Sequence, residues 1–312
     1  MRKTSLHQVY QLAKKDKRIF FIGSDLGVDT LNEFKKEMPE RFFVEGVAEA
    51  NLVGMAAGLA LEGKIVYVNT IATFLTRRCF EQIVLDLGLH QTRVRLLSNG
   101  GGLVYAPLGP THLAIDDIAI LRTVPHMTIL APSDADEMLR LMPQTVEHPG
   151  PIYIRVAKGF DPVVSTNDQP CVIGKAIQRG NGKEALIVTT GITLKLGLEA
   201  QQQLKTDGIE TTVLHLHTIK PLDRAAVLAQ AKDIPVIISV EEHIISGGLG
   251  SAIAEIISEE NFEEPKKFKR IGIPDVFAHH YGSQNDLMNT YGITTDNIVK
   301  TIKKLKSAYI KV

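Results

Sequence analysis

The residue best placed to do chemistry in this 312-residue chain is Glu49, which no other charge accompanies between Glu45 and Glu62. It follows a short strand pattern at residues 42–44 and stands in the first turn of a predicted helix that is apolar on all sides. Such a helix is typical of an element packed on all sides. The carboxyl is therefore either a first-turn acid favoured by the helix dipole or a functional acid held out of water.

Three further groups of reactive or recognising side chains follow predicted strands. Phe74 lies in residues 69–78, after one strand; Gly-Pro-Thr-His at 109–112 comes after another; Arg155 and Lys158 close a third. Because ligands of open parallel sheets bind at the carboxyl ends of the strands, we expect these groups and Glu49 to converge. A carboxyl, an aromatic ring, a histidine and a cation would then share one site.

The elements that must position these groups alternate along the chain. Short apolar runs without polar alternation, separated by helical patterns, indicate strands buried on both faces in a parallel sheet. In the first half they are residues 18–23, 42–44, 64–69, 94–97, 127–130 and 151–156. Strands at 185–189, 210–216, 235–240 and 268–273 repeat the pattern in the second half. The fold class is α/β with two domains, each a mainly parallel sheet flanked by helices.

A segment without sustained periodicity separates the two halves. It carries Pro162, Ser165, Thr166 and Asn167, which is typical of a linker. We predict a first domain over residues 1–160, a linker over 161–171 and a second domain over 172–312. Predicted helices include residues 75–89, 134–147 and 221–231, the last with a proline in its first turn.

Bulk composition excludes several classes of function. Lys plus Arg and Asp plus Glu both number 35, so no excess of positive charge points to nucleic acid or an anionic membrane. Only Cys79 and Cys171 are present, far apart, which argues for a reducing compartment. The polar N-terminus and the lack of a long apolar run predict a soluble, cytoplasmic protein without signal peptide or membrane span.

Two motifs are considered and rejected. Residues 58–64 spell most of a phosphate-binding loop, but Ile65 stands where the Ser or Thr that holds magnesium is needed. His215 and His217 share one side of a strand, and His279 and His280 are adjacent, without cysteines or carboxylates at ligand spacing. We interpret these histidines as core-edge and loop residues and predict no metal site on this chain.

With these pieces in view, the sequence resembles the transketolase family of thiamine-diphosphate enzymes. The similarity covers the pyrimidine-binding and C-terminal domains, essentially the whole chain, and extends to deoxyxylulose-phosphate synthases and the β subunits of 2-oxo-acid dehydrogenase E1 components. In the second half it includes Thr-Ile-Lys-Pro-Leu-Asp at 218–223, Glu-Glu-His at 241–243, Gly-Gly-Leu-Gly at 247–250 and Tyr-Gly-Ile-Thr at 291–294.

The resemblance implies roles for individual residues. Glu49 matches the glutamate that hydrogen-bonds the ring nitrogen of the aminopyrimidine, where an acid favours the imino tautomer that activates the thiazolium carbon. Phe74 matches the aromatic residue that stacks on that ring, and Ile71 falls among the cofactor-binding positions. His112 matches a histidine that contacts substrate oxygens and can move protons. Arg155 and Lys158 fall on basic strand-end positions that bind substrate.

Two departures from the family change what the resemblance implies. No Gly-Asp-Gly occurs in the chain, so magnesium and the diphosphate would be held by an N-terminal partner subunit carrying Gly-Asp-Gly and a following Asn, in an α2β2 assembly. Leu108 stands where transketolases carry an aspartate that reads a sugar hydroxyl, and Lys158 replaces a phosphate-binding arginine. Both put an ordinary pentose phosphate substrate in doubt.

The function implied is that of the C-terminal subunit of a heteromeric transketolase-like enzyme, which transfers a two-carbon ketol unit between sugars. An unusual sugar is a candidate acceptor. Two alternatives stay open: the β subunit of an E1-type 2-oxo-acid decarboxylase or dehydrogenase, and a non-catalytic partner that has kept the fold. Neither the donor and acceptor nor the pathway follows from the residues.

Overall fold

The first half of the chain builds a mainly parallel sheet. The computed structural model describes residues 1–24, 26–157 and 161–307. The strands of this half are β1 (Ile19–Gly23), β2 (Phe42–Val44), β3 (Ile65–Ile71), β4 (Val94–Asn99), β5 (Thr128–Leu130) and β6 (Ile152–Val156). Residues 65–70 of β3 and all of β4 and β6 are buried, as the unbroken apolar runs predict for strands covered on both faces.

Helices cover both faces of this sheet. They are α1 (Arg2–Lys15), α2 (Asn32–Glu37), α3 (Glu49–Leu61), α4 (Ala72–Arg78), α5 (Phe80–Gln82), α6 (Asp117–Arg122) and α7 (Ala135–Leu141). The buried positions of α3 include Leu52, Val53, Ala56 and Ala57, a single stripe at helical spacing. The expectation that this helix packs on all sides is therefore wrong within the single chain, since Gly58 and Leu61 on its other side are exposed.

The second half builds a sheet of its own. Its strands are β7 (Ile177–Arg179), β8 (Ala185–Thr189), β9 (Thr211–His215), β11 (Val236–Ile244) and β12 (Lys267–Ile273). They lie in the spatial order β12-β11-β8-β9-β7. All neighbours run parallel except β7, which pairs antiparallel with β9. Its helices are α8 (Thr193–Thr206), α9 (Arg224–Asp233), α10 (Leu249–Glu259), α11 (Gln284–Thr290) and α12 (Thr295–Ser307).

One strand of the second half belongs to the first sheet. Strand β10 (Thr218–Lys220) pairs antiparallel with β5, which gives the first sheet the order β10-β5-β6-β4-β3-β1-β2. The two halves therefore share backbone hydrogen bonds. Three residues without clear periodicity are too few for a pattern to identify such a strand.

The α/β class with two helix-flanked, mainly parallel sheets is confirmed, whereas three predicted helices differ in detail. The helix expected at 75–89 is interrupted at Cys79 and ends as a π-helix over Ile83–Leu89. The helix expected at 134–147 gives way to a 3₁₀ turn at Met142–Thr145, which contains Pro143. The third begins at Arg224 and not at Pro221, because the Asp223 side chain caps it by accepting from the Ala226 N–H.

Strands β7 and β10 and helices α1 and α11 were not predicted. Helix α1 buries Leu6, Val9, Tyr10 and Ala13 on one face, a stripe that its Lys, Arg and His residues obscure in the sequence. Among the described residues, no helix is long and apolar enough to cross a membrane.

Candidate active site

The site forms at the edge where the parallel strands of the first sheet end. Strand register aligns Gly23 with both Val44 and Asn69, Ile71 with Asn99, and Asn99 with Val156. The segments that leave these strand ends carry the residues selected from the sequence, which is where ligands of open parallel sheets bind.

Glu49 is the first residue of α3, and its side chain is only 4 % exposed. Its Oε2 lies 3.1 Å from Nη1 of Arg78, the last residue of α4. A buried carboxylate needs such a partner, because an unpaired charge away from water is costly. The geometry makes Glu49 a buried acid paired with a cation, and thus more than a surface acid that neutralises a helix dipole.

Phe74, the second predicted site residue, lies next to the same arginine. It lies in α4, half-buried, with the guanidinium carbon of Arg78 4.1 Å from its ring centre. The four-residue spacing puts both side chains on one face of the helix. Glu49, Phe74 and Arg78 therefore form one continuous surface of carboxylate, guanidinium and aromatic ring.

His112, the third predicted site residue, contacts the ring of Phe74. It closes a 3₁₀ turn, Pro110–His112, that follows Gly109, and its ring is 5.0 Å from that of Phe74 at an interplanar angle of 65°. Thr111 Oγ1 lies 2.9 Å from His112 Nδ1. The structure thus unites Glu49, Phe74 and His112, and places Ile71 immediately before α4 at the end of β3.

Arg155 is directed into the protein interior. Its side chain is 7 % exposed; Nε donates to Asp117 Oδ2 at 2.8 Å, and Nη2 donates to the Glu242 carbonyl at 2.9 Å. Burial alone would raise the pKa of Asp117, but Arg155 and His243 outweigh it and hold the pKa below its usual value. These contacts tie the two halves together and give no support to the prediction that Arg155 binds substrate.

Of the remaining positions that were expected to contact substrate, Leu108 is described by the structure and Lys158 is not. Lys158 lies outside the described residues, so its predicted role stays a prediction. Leu108 is 51 % exposed and ends a 3₁₀ turn just before Gly109. Gly109 has a φ of +77°, and an added Cβ would lie 2.7 Å from the ring of Tyr281. A residue of the second half therefore packs against the turn that carries His112.

A second polar cluster lies between the halves, around His215 and His217. Both are fully buried. The prediction that these two histidines lie at the edge of the core is therefore wrong. His215 Nε2 is 3.1 Å from Glu137 Oε2, and burial lowers the pKa of His217 to about 4. Donor atoms of Glu137, Cys171 and His217 lie within 4.8 Å of one another; the absence of a metal site on this chain stays a prediction.

Sequence reasoning missed Arg78 and the buried amides below the site. Asn99 Nδ2 donates to Asn69 Oδ1 at 2.6 Å, and Asn69 Nδ2 donates to the Leu26 carbonyl at 2.8 Å. Both amides occupy carboxyl-terminal positions of adjacent strands, a signal that the sequence offered. The i, i+4 spacing of Phe74 and Arg78 is also evident in the sequence. The pairing of Arg78 with Glu49 is not, because the two residues lie on different helices.

These residues fit one part of a thiamine cofactor. A flat ring requires an aromatic face and its ring nitrogen requires a carboxyl; Phe74 and Glu49 present both, side by side and beneath one exposed arginine. The cofactor also carries a diphosphate, which needs a cation to bind it. This cluster of a carboxylate, two aromatic rings and one paired arginine offers no group for that part of the cofactor.

Comparison with known proteins agrees with the fold. Residues 1–160 match the family model described as transketolase, pyrimidine binding domain, and residues 174–298 match transketolase, C-terminal domain. The two halves therefore correspond to the pyrimidine-binding and C-terminal α/β domains of transketolases. The chain belongs to the transketolase family.

Several relatives of similar length are named as subunits of transketolases or as split transketolases. The chain is 38 % identical to one of the subunits of the apulose-4-phosphate transketolase of Phocaeicola vulgatus, over 96 % of this chain and 95 % of that protein. It is 33 % identical to a subunit of the 6-deoxy-6-sulfo-D-fructose transketolase of a Clostridium species, over 96 % and 92 %. A solved structure described as a split gene transketolase, inactive β4 tetramer, matches with a TM-score of 0.89 at 32 % identity, covering 98 % of both chains.

Proposed function

We propose that this chain is the C-terminal subunit of a heteromeric thiamine-diphosphate-dependent enzyme that transfers a two-carbon ketol unit between sugars. The observation that carries the proposal is the meeting of Glu49, Phe74 and His112 at the strand-end edge of a transketolase pyrimidine-binding domain. The split-transketolase subunits among its relatives support the same function.

Each residue of the cluster has a part that its surroundings allow. Phe74 offers a ring face on which the aminopyrimidine can stack without competing hydrogen bonds. Glu49, held out of water, would hydrogen-bond the ring nitrogen of a bound pyrimidine and share a proton with it. Thr111 Oγ1 contacts Nδ1 of His112, so Nε2 would be the nitrogen that exchanges protons with substrate hydroxyl or carbonyl oxygens. Bound thiamine diphosphate would supply the electron sink for cleavage of the bond beside the ketone.

The rest of the cofactor site would come from another chain. We propose a partner with Gly-Asp-Gly and a following Asn that binds Mg²⁺ and the diphosphate, and an α2β2 assembly that completes two sites. The names of the relatives as subunits support this arrangement. So does the description of the solved neighbour as a split gene transketolase in an inactive β4 tetramer.

The substrate would be a sugar other than an ordinary pentose phosphate. Leu108 presents an exposed apolar side chain three residues before Thr111, and an apolar residue offers no acceptor to a sugar hydroxyl. Two relatives are named for apulose 4-phosphate and for 6-deoxy-6-sulfo-D-fructose. We therefore propose a branched or substituted sugar as donor or acceptor.

The test is to replace Glu49 by Gln in the complex reconstituted from this chain and its N-terminal partner. β-Hydroxypyruvate serves as the ketol donor, with a panel of aldoses, aldose phosphates and substituted aldoses as acceptors. Because proton transfer by a placed side chain is worth about 10²–10⁴ in rate, we expect kcat to fall at least a hundredfold, measured as product formed by mass spectrometry. Glu62→Gln, at the exposed far end of the same helix, is the matched control and should retain activity.

Other outcomes would assign the chain differently. Unchanged ketol transfer in Glu49→Gln would remove Glu49 from the reaction. Oxidative decarboxylation of 2-oxo acids by the wild-type complex, without ketol transfer, would indicate an E1-type β subunit. A complex active on neither class of substrate would favour a non-catalytic partner.

A further inference from the structure

Arg78 makes both of the contacts that the proposed function assigns to the aminopyrimidine ring. Its Nη1 lies 3.1 Å from the carboxylate of Glu49, and its guanidinium carbon is 4.1 Å from the ring centre of Phe74. The guanidinium is planar, cationic and rich in N–H donors. It therefore offers the same combination of flat face and hydrogen-bond donor as a protonated aminopyrimidine.

One guanidinium and one pyrimidine cannot use the same surfaces together. A ring that stacks on the face of Phe74 covered by Arg78, or that bonds to Oε2 of Glu49, takes the place of an Arg78 contact. The i, i+4 spacing in α4 places Arg78 beside Phe74, and the long arginine side chain can rotate from the ring into solvent. Competition between the arginine and the cofactor is thus built into this helix.

The exposure of the two partners makes this contact suitable for exchange. The side chain of Arg78 is 52 % exposed, whereas that of Glu49 is 4 % exposed. The half-exposed Arg78 side chain regains water when it is displaced, and the incoming ring takes over its contact with Glu49. A buried carboxylate left without any partner is costly, so a chain without cofactor benefits from the arginine.

We propose that Arg78 is a positioning residue that occupies the place of the aminopyrimidine until the cofactor binds. It compensates the charge of Glu49 and covers the face of Phe74, and the incoming ring displaces it toward solvent. The inference rests on the proposed function, because it takes Glu49 and Phe74 as cofactor-binding residues.

Arg77 provides a matched control in the same turn of α4. Its Nε and Nη2 donate to the two carboxylate oxygens of Asp116 at 3.0 and 2.9 Å, and it is also partly exposed. Replacing Arg77 removes the same charge from the same helix. No contact with Glu49 or with the Phe74 ring is changed by that substitution.

The experiment measures binding of thiamine diphosphate with Mg²⁺ by isothermal titration calorimetry. It compares the reconstituted wild-type complex with its Arg78→Ala, Arg78→Lys and Arg77→Ala variants. Loss of the competing ion pair and stacking contact should tighten binding by Arg78→Ala about three- to tenfold. Arg78→Lys should fall between wild type and Arg78→Ala, because it keeps the charge but loses the planar face. Arg77→Ala should bind like wild type.

A purely structural arginine would give the opposite sign. Unchanged or weaker binding by a folded Arg78→Ala complex, with a circular dichroism spectrum like that of wild type, overturns the inference. Repeating the pair in a Glu49→Gln background tests the mechanism, since the gain from Arg78→Ala should shrink once the carboxylate charge is gone. Failure of the proposed function is separate: it shows as retained ketol transfer in Glu49→Gln, whatever the titrations of Arg78 variants give.

Discussion

At the scale of single residues, Phe74 is the point where the site contacts meet. Its ring is half-buried and is contacted by the guanidinium of Arg78 and by the ring of His112. An aromatic ring can serve both neighbours because its face attracts cations, whereas its edge packs against other rings. An aliphatic side chain of similar volume would keep the packing and lose the stacking.

We therefore expect Phe74→Leu to weaken binding of thiamine diphosphate by the reconstituted complex. Stacking contacts are worth about 0.5–1.5 kcal/mol beyond buried area, which corresponds to roughly a two- to tenfold rise in Kd. Calorimetric titration measures the change, and kcat at saturating cofactor should stay near that of wild type. Phe80→Leu, a half-buried core neighbour in the next helical segment, is the control. Equal Kd values for Phe74→Leu and wild type would contradict the assignment.

At the scale of elements, a buried network joins α6, β6 and β11. Asp117 in α6 accepts from Arg155 of β6 and from the Tyr153 hydroxyl at 2.6 Å. Arg155 also donates to the carbonyl of Glu242 in β11, whose carboxylate accepts from the Leu103 N–H at 2.8 Å. Burial raises the pKa of Glu242 to about 7. This network fixes how the second half sits on the strand ends of the first.

Arg155→Met should consequently destabilise the protein without a specific effect on substrate affinity. Removing one partner of a buried pair strands the other, at a cost of about 3–5 kcal/mol in the free energy of unfolding. Since the chain contains no tryptophan, urea unfolding followed by far-UV circular dichroism is the suitable measurement. The double variant Arg155→Met with Asp117→Leu should recover part of the loss. If stability is unchanged while KM for the sugar rises, Arg155 binds substrate as the sequence predicted.

At the scale of the whole molecule, the outer side of α3 is left uncovered by the described residues of the chain. Gly54 and Gly58 of α3 have no atom of another element within 4 Å of an added Cβ, and Val47, Leu61, Leu85 and Leu89 are exposed. Exposed apolar side chains that form a patch are typical of an interface. This face lies opposite the buried stripe of α3, which leaves it open to a second chain.

Gly58→Leu should leave the fold intact and impair assembly. The side chain enters open space and replaces a helical glycine, which by itself is worth about 0.5–1 kcal/mol of stability. At the proposed interface the same side chain would hold two backbones apart. Size-exclusion chromatography with light scattering of the mixed subunits measures the effect. Gln202→Leu, on an exposed position of α8, controls for added surface hydrophobicity, and normal assembly of Gly58→Leu would place the interface elsewhere.

The sequence by itself determined the α/β class, most strands and the cluster of Glu49, Phe74 and His112. Strands buried in a parallel sheet have unbroken apolar sequences, which makes them recognisable. Since parallel strands all run the same way, their carboxyl ends lie along one edge of the sheet. Only the tertiary structure decided that Arg155 points inward to Asp117, that β10 completes the first sheet, and that Arg78 pairs with Glu49. These contacts join residues that are distant in the chain, and the period of a local pattern carries no information about the partner a polar side chain will find.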